Sequence, residues 1–147
     1  MAEEKYLARY EKSAEGNYLK ASRGILEESA SLAAAKTLSQ EESGTTYFVS
    51  QAAAYSITLP AVKAGVCYKF VLTTAGSNDV KIDGGAANMV VGVIVDENSV
   101  EALDHNIVKF VASTAVAGDF VTITCDGSKW YVQGACSADG GVAGAAS

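Results

Sequence analysis

Residues Asp119–Gly134 read DFVTITCDGSKWYVQG. Apolar and polar residues alternate on both sides of Asp126-Gly127, a dipeptide that closes tight hairpins. Pairing around that turn puts Val121, Ile123 and Cys125 on one face with Trp130 and Val132. Thr122, Thr124, Tyr131 and Gln133 take the other face. One side is apolar and the other polar, as a sheet with one buried side requires. On this register Cys125 and Cys136 lie several pairs apart, too far for a disulfide, whose Cα atoms must lie within about 7 Å.

Strand patterns continue upstream. Thr46–Gln51 (TYFVSQ) and Tyr55–Leu59 (YSITL) precede Pro60. Val66–Thr73 (VCYKFVLT) places Tyr68, Phe70 and Leu72 opposite Cys67, Lys69 and Val71. Asp79–Ile82 leads to Gly84-Gly85. Met89–Val95 (MVVGVIV) is a continuous apolar run, and Gly92 inside it marks a bulge or a close backbone approach. Asn106–Ala112 alternates again. The expectation is a small antiparallel β-sandwich or barrel over residues 37–136. Residues 137–147 (SADGGVAGAAS) read as a flexible Gly/Ala-rich tail.

The chain changes character near Gly44. All sixteen valines lie from Val49 onward, whereas residues 1–44 hold eight Glu and no Asp. Residues 1–36 therefore read as a charged N-terminal arm, partly helical or extended. Within it, Arg23–Lys36 (RGILEESASLAAAK) is the best helix candidate, with Ser22 as cap and Ile25, Leu26, Ser29, Leu32 and Ala33 on one side. Gly24 weakens that helix, and alone it would be marginal in water. Tyr and Arg are enriched where proteins bind one another. Tyr6, Leu7, Arg9, Tyr10, Tyr18, Leu19, Arg23, Ile25 and Leu26 are the candidate contact residues. The alternative is a tail whose aromatics fold back onto their own domain.

Composition removes several classes of function. The formal charge is −6, with 11 Lys and Arg against 17 Asp and Glu, so no basic face for nucleic acid or an anionic membrane is expected. No apolar run is long enough to span a bilayer. Met1–Tyr10 carries Glu3, Glu4, Lys5 and Arg9, which is not a secretory signal. The three cysteines, Cys67, Cys125 and Cys136, form neither a disulfide framework nor zinc-finger spacing. His105, the single histidine, stands beside Asp104 in what reads as a loop, with no Gly-x-Ser-x-Gly elbow elsewhere. Asp96, Glu97, Glu101 and Asp104 cluster along the sequence without EF-hand spacing, and solvated loop carboxylates explain them. The glycine pairs match no phosphate-binding fingerprint. Neither enzymatic activity nor a cofactor or metal is expected.

Leu38–Pro60 (LSQEESGTTYFVSQAAAYSITLP) resembles a unit that recurs in tailed-phage structural proteins. The likeness continues through Ala64-Gly65 and VCYKFVLTT, then Ser77–Ile82, Asn106–Val111, Ala117–Val121 and Asp126–Val132. It covers about 100 residues, Leu38 to Gly134, and leaves out the arm. The resemblance is to capsid decoration (cement) proteins, head fibres and tail-fibre modules. It implies a non-enzymatic virion protein, often a homotrimer, assembled in the host cytoplasm. Such a protein would stabilise the capsid by bridging major capsid protein subunits. The alternative is a fibre module for host-surface glycan, with Tyr55, Tyr68 or Tyr131 stacking on sugar rings.

Overall fold

The computed structural model describes residues 28–146. Among them run β1 (Ser29–Leu32), β2 (Lys36–Thr37), β3 (Thr46–Ser50), β4 (Tyr55–Thr58), β5 (Cys67–Thr74) and β6 (Val80–Asp83). Then come β7 (Val90–Val95), β8 (Val100–His105), β9 (Ile107–Phe110), β10 (Phe120–Cys125), β11 (Trp130–Ala135) and β12 (Val142–Ala145). A 3-10 turn, Gln40–Glu42, precedes β3. One sheet has seven strands in the order β1-β3-β5-β10-β11-β7-β8, and the other has five in the order β12-β9-β6-β4-β2. The hairpin forms as its alternation requires, with Cys125 opposite Trp130 and Ile123 opposite Val132.

The expected purely antiparallel architecture is corrected to two mixed sheets. The first six strands alternate between them, odd-numbered strands in the larger sheet and even-numbered ones in the smaller. Parallel neighbours need a crossover. Here the crossover is itself a strand of the opposite sheet, so β1, β3 and β5 run parallel, as do β2, β4 and β6. Each return adds one strand to the same edge. Antiparallel pairing starts where a turn folds the chain straight back, at β7–β8 and β10–β11.

Residues of both sheets form one hydrophobic core. Trp130, Tyr47, Tyr68 and Phe70 come from the larger sheet, and Ile57, Ile82, Val108 and Phe110 from the smaller. Tyr47 stacks on Phe70 at 5.7 Å between ring centroids, and Tyr68 meets Trp130 at 6.1 Å. The fully buried Gln51 links β9 to the loop after β5. Its Nε2 donates to the Phe110 carbonyl at 3.2 Å, and its Oε1 accepts the Gly76 amide at 2.9 Å. Buried amides held this way cost little, whereas an unpaired one is expensive. Trp130 Nε1 has no hydrogen-bond partner among the described residues.

Several expectations change. The described part of the expected helix, residues 28–36, is extended: β1 pairs in parallel with β3, and β2 with β4. Ala30 and Leu32 pack against the core, while Ser29 and Ser31 are exposed, a period of two that strand pairing rewards. The arm thus supplies two strands. The segment read as a flexible tail supplies β12, antiparallel to β9, with Val142 buried. Its small residues let neighbours close in: a Cβ on Gly144 would lie 2.0 Å from the His105 ring. His105 ends strand β8 rather than occupying a loop, and Glu101 and Asp104 lie on that same strand. Charges broke the alternation that would have marked it. All three cysteines are free.

Gly92 marks the close approach that its sequence position suggests. It lies opposite Val132 in the parallel β7–β11 pair, and a Cβ there would come within 1.9 Å of the Val132 carbonyl oxygen. Gly92→Ala should therefore lower stability by roughly 2–4 kcal/mol. A urea titration will read this as a fall in midpoint at constant slope, and an unchanged midpoint would refute the contact.

Candidate interaction surface

Side chains on the outer face of the seven-stranded sheet fall into rows, because the registers of adjacent strands match. One row crosses all seven strands: Ser31, Phe48, Val71, Phe120, Ala135, Val95 and Val100. It contains no charged residue. Phe48 is 36% exposed, Val95 47% and Val100 66%. Isolated exposed apolar residues are ordinary, whereas a contiguous line of them marks a contact surface. The next row reads Ser29, Thr46, Lys69, Thr122, Gln133, Val93 and Ala102. The Lys69 ammonium lies 5.3 Å from the Phe120 ring centroid. Beside it a depression of about 330 Å³ is lined by Gly44, Thr46, Cys67, Lys69 and Thr122.

The smaller sheet presents a polar groove instead. A cavity of about 500 Å³ is lined by Tyr55, Ser56, Ser77, Asn78, Asp79 and Lys81 among others. Asp79 is committed to structure: Oδ2 accepts from Lys109 at 2.7 Å and Oδ1 from the Ala112 amide at 2.8 Å. Lys109 first, then that amide, holds the Asp79 carboxyl below its ordinary range. The Asn78 amide group donates to the Gln51 carbonyl at 3.0 Å, which fixes the loop.

Of the four clustered acids, Asp96 and Glu101 do meet, but the third member is Asp139 from the tail, not Glu97 or Asp104. Their ligand atoms lie within 4.8 Å of one another. Asp96 already accepts from the Asn98 and Ser99 amides, which depress its pKa. Calcium takes six to eight oxygens from carboxylates, carbonyls and water, so an ion among these three acids would draw on further ligands. His105 is exposed at the end of β8, opposite Val90. Of the tyrosines considered for sugar stacking, Tyr68 and Tyr55 are buried. Their hydroxyls donate to the Ser39 and Leu32 carbonyls. Burial pushes the Tyr68 phenol up to about 12. Tyr131 alone of the three is exposed, at 46%. The candidate contact residues Tyr6, Leu7, Arg9, Tyr10, Tyr18, Leu19, Arg23, Ile25 and Leu26 all lie outside the described residues. The apolar row was missed in the sequence because it is built from one residue per strand.

The start of the domain is pinned by one ion pair. Lys36 on β2 donates to Glu42 Oε1. Glu42 also accepts from the Ser39 amide at 2.9 Å and the Tyr47 hydroxyl at 3.0 Å. The Lys36 contact is the main reason the Glu42 carboxyl falls to about 2. A depressed carboxylate stabilises the fold above its unfolded pKa, and that contribution disappears as pH falls through the folded value. Stability should therefore decline between about pH 5 and pH 2, and Glu42→Gln should flatten that decline. The part-exposed pair sets the expected loss at neutral pH at about 1 kcal/mol. Thermal melts across the acid range will check both expectations.

The chain matches no known family model, and a search of curated proteins finds no relative.

Proposed function

We propose that this is a non-enzymatic structural protein of a tailed-phage virion, which decorates the capsid and stabilises it by bridging major capsid protein subunits. The two sheets are then the layers of a small β-sandwich. The observation that carries the reading is how the leading segment enters the domain. Glu28 runs directly into β1, the edge strand of the seven-stranded sheet, where its carbonyl accepts the Thr46 amide at 2.8 Å. Whatever residues 1–27 grip is thereby coupled through the β1–β3 ladder to the whole sheet. A load on the arm then acts along a hydrogen-bonded strand, not on a loose loop. A protein bridging coat subunits adds contacts that expansion of the shell would have to break, and repeated copies multiply modest contacts.

The resemblance over Leu38–Gly134 supports the virion assignment, and the acidic balance suits a surface exposed to solvent rather than to nucleic acid. The proposed partner is the major capsid protein, and the protein acts as a homo-oligomer, with a trimer as the order the resemblance implies. It would be assembled in the host cytoplasm and stay on the capsid surface. A fibre module that recognises host glycan is the second reading, favoured by exposed Tyr131 and by the polar groove beside Ser56 and Lys81.

Among the described residues, both sheets begin after residue 28. Removing residues 1–27 should therefore leave the β-sheet circular dichroism and cooperative melting intact while abolishing co-sedimentation with capsids. Full binding by the shortened protein would defeat the decoration reading. A glycan array on which the intact protein binds, and Tyr131→Ala does not, would favour the fibre module.

A further inference from the structure

We propose that the polar groove of the five-stranded sheet is a binding site for a saccharide that carries one carboxylate. The Lys81 ammonium takes the carboxylate, and Ser56, Ser77 and Asn78 take the hydroxyls. The site rests on the glycan reading above and makes no use of residues 1–27.

Charge is the first support. Lys81 and Lys109 lie directly opposite each other in the antiparallel β6–β9 pair, and Ser56 continues their row on β4. Like charges directly opposite across a ladder destabilise it. They stand so in a chain whose acids outnumber its bases, 17 to 11. One carboxylate serves both lysines: Asp79 accepts from Lys109 at 2.7 Å, and Lys81 also acts on it. Two ammonium groups and one carboxylate leave one positive charge. Asp83, two residues beyond Lys81, does not line the groove, and its Oδ1 accepts the Gly85 amide at 2.8 Å. A ligand carboxylate on Lys81 relieves the repulsion that the ladder retains.

Size and lining chemistry are the second. The groove holds about 500 Å³, within the roughly 300–1,000 Å³ of small-molecule sites. Its walls are mainly polar or small, so an apolar ligand would find little to bury against. They mix donors with acceptors. Asn78 commits its amide nitrogen to the Gln51 and Ala52 carbonyls, at 3.0 and 3.3 Å, which leaves its Oδ1 as an acceptor. The Ser56 and Ser77 hydroxyls can donate or accept. Acceptors at Asn78 and Asp79 disfavour a phosphate, whose oxygens are acceptors too, and suit hydroxyl groups that donate.

Rigidity is the third. The fully buried Gln51 accepts the Gly76 amide at 2.9 Å, and the Ser113 amide donates to the Gly76 carbonyl at 2.8 Å. A Cβ on Gly76 would lie 2.5 Å from the Gln51 carbonyl oxygen, so the loop over residues 75–79 sits close against residue 51. At its end, Asp79 is tied to Lys109 and to the Ala112 amide. A wall fixed in this way loses little conformational freedom when a ligand binds.

Amide chemical shifts of the isotope-labelled full chain, titrated at low salt with glucuronate, glucose or inorganic phosphate, test the proposal. Glucuronate should give saturable shifts at Ser56, Ser77, Asn78 and Lys81. Glucose and phosphate should bind at least about ten-fold more weakly. Lys81→Gln should weaken glucuronate binding about ten-fold and melt no lower than the parent, since it removes one of two opposed lysines. If that variant unfolds, Ala54→Trp, at an exposed position lining the groove, should block binding without a change of charge. Glucose or phosphate bound as tightly as glucuronate overturns the proposal, as does glucuronate binding untouched by both variants. Shifts centred on Tyr131 overturn it and leave the glycan reading standing. No shift with glucuronate also overturns it; a glycan array with hits then preserves the glycan reading, and an empty array ends both.

Discussion

Burial of one shared row of large side chains between the two sheets is the constraint on which the rest of this structure depends. Trp130, Tyr47, Tyr68 and Phe70 of the seven-stranded sheet and Ile57, Ile82, Val108 and Phe110 of the five-stranded sheet are buried in one shared core. Fully burying each is worth about 1.5–3 kcal/mol relative to exposure. Neither sheet can bury its face alone, so each requires the other. Once inward positions are apolar, the period of two places every intervening residue outside. The outer row from Ser31 to Val100 exists because the six strand pairings stay in register at that level of the sheet.

The winding of the first six strands follows from the same requirement. A strand that has buried one face can be followed at once by a strand burying its face from the opposite side. Each pair of steps then lays a new strand parallel to the one before. The result leaves β1 as an edge, with the arm attached there. Edge strands are normally protected from further pairing. Here the edge strand is the one that residues 1–27 lead into.

Polar groups inside this frame are mostly committed to holding it. Asp79, Asp96, Asp119 and Gln51 each accept backbone amides, and Glu42 gathers a lysine, an amide and a phenol. Asp119 is buried and ties the loop before β10 to Ser137 beyond β11, through its Oδ2 to Val116 and its Oδ1 to Ser137. Carboxylates used this way are already occupied by donors.

Local alternation by itself determined the strands that matter most. The β10–β11 hairpin, the inward face of β5 and the close approach at Gly92 are all legible because side-chain direction in a strand depends only on position modulo two. The helix read into Arg23–Lys36 shows where local preference ends. Ser29–Leu32 has helix-tolerant residues, and it becomes a strand because β3 offers a ladder and the core offers cover for Ala30 and Leu32. Parallel pairing, the burial of Tyr55, the meeting of Asp139 with Asp96, and the uncharged outer row all depend on residues far apart in the chain. Only the tertiary structure could decide them, because register between distant strands is set by the whole core and by no local segment.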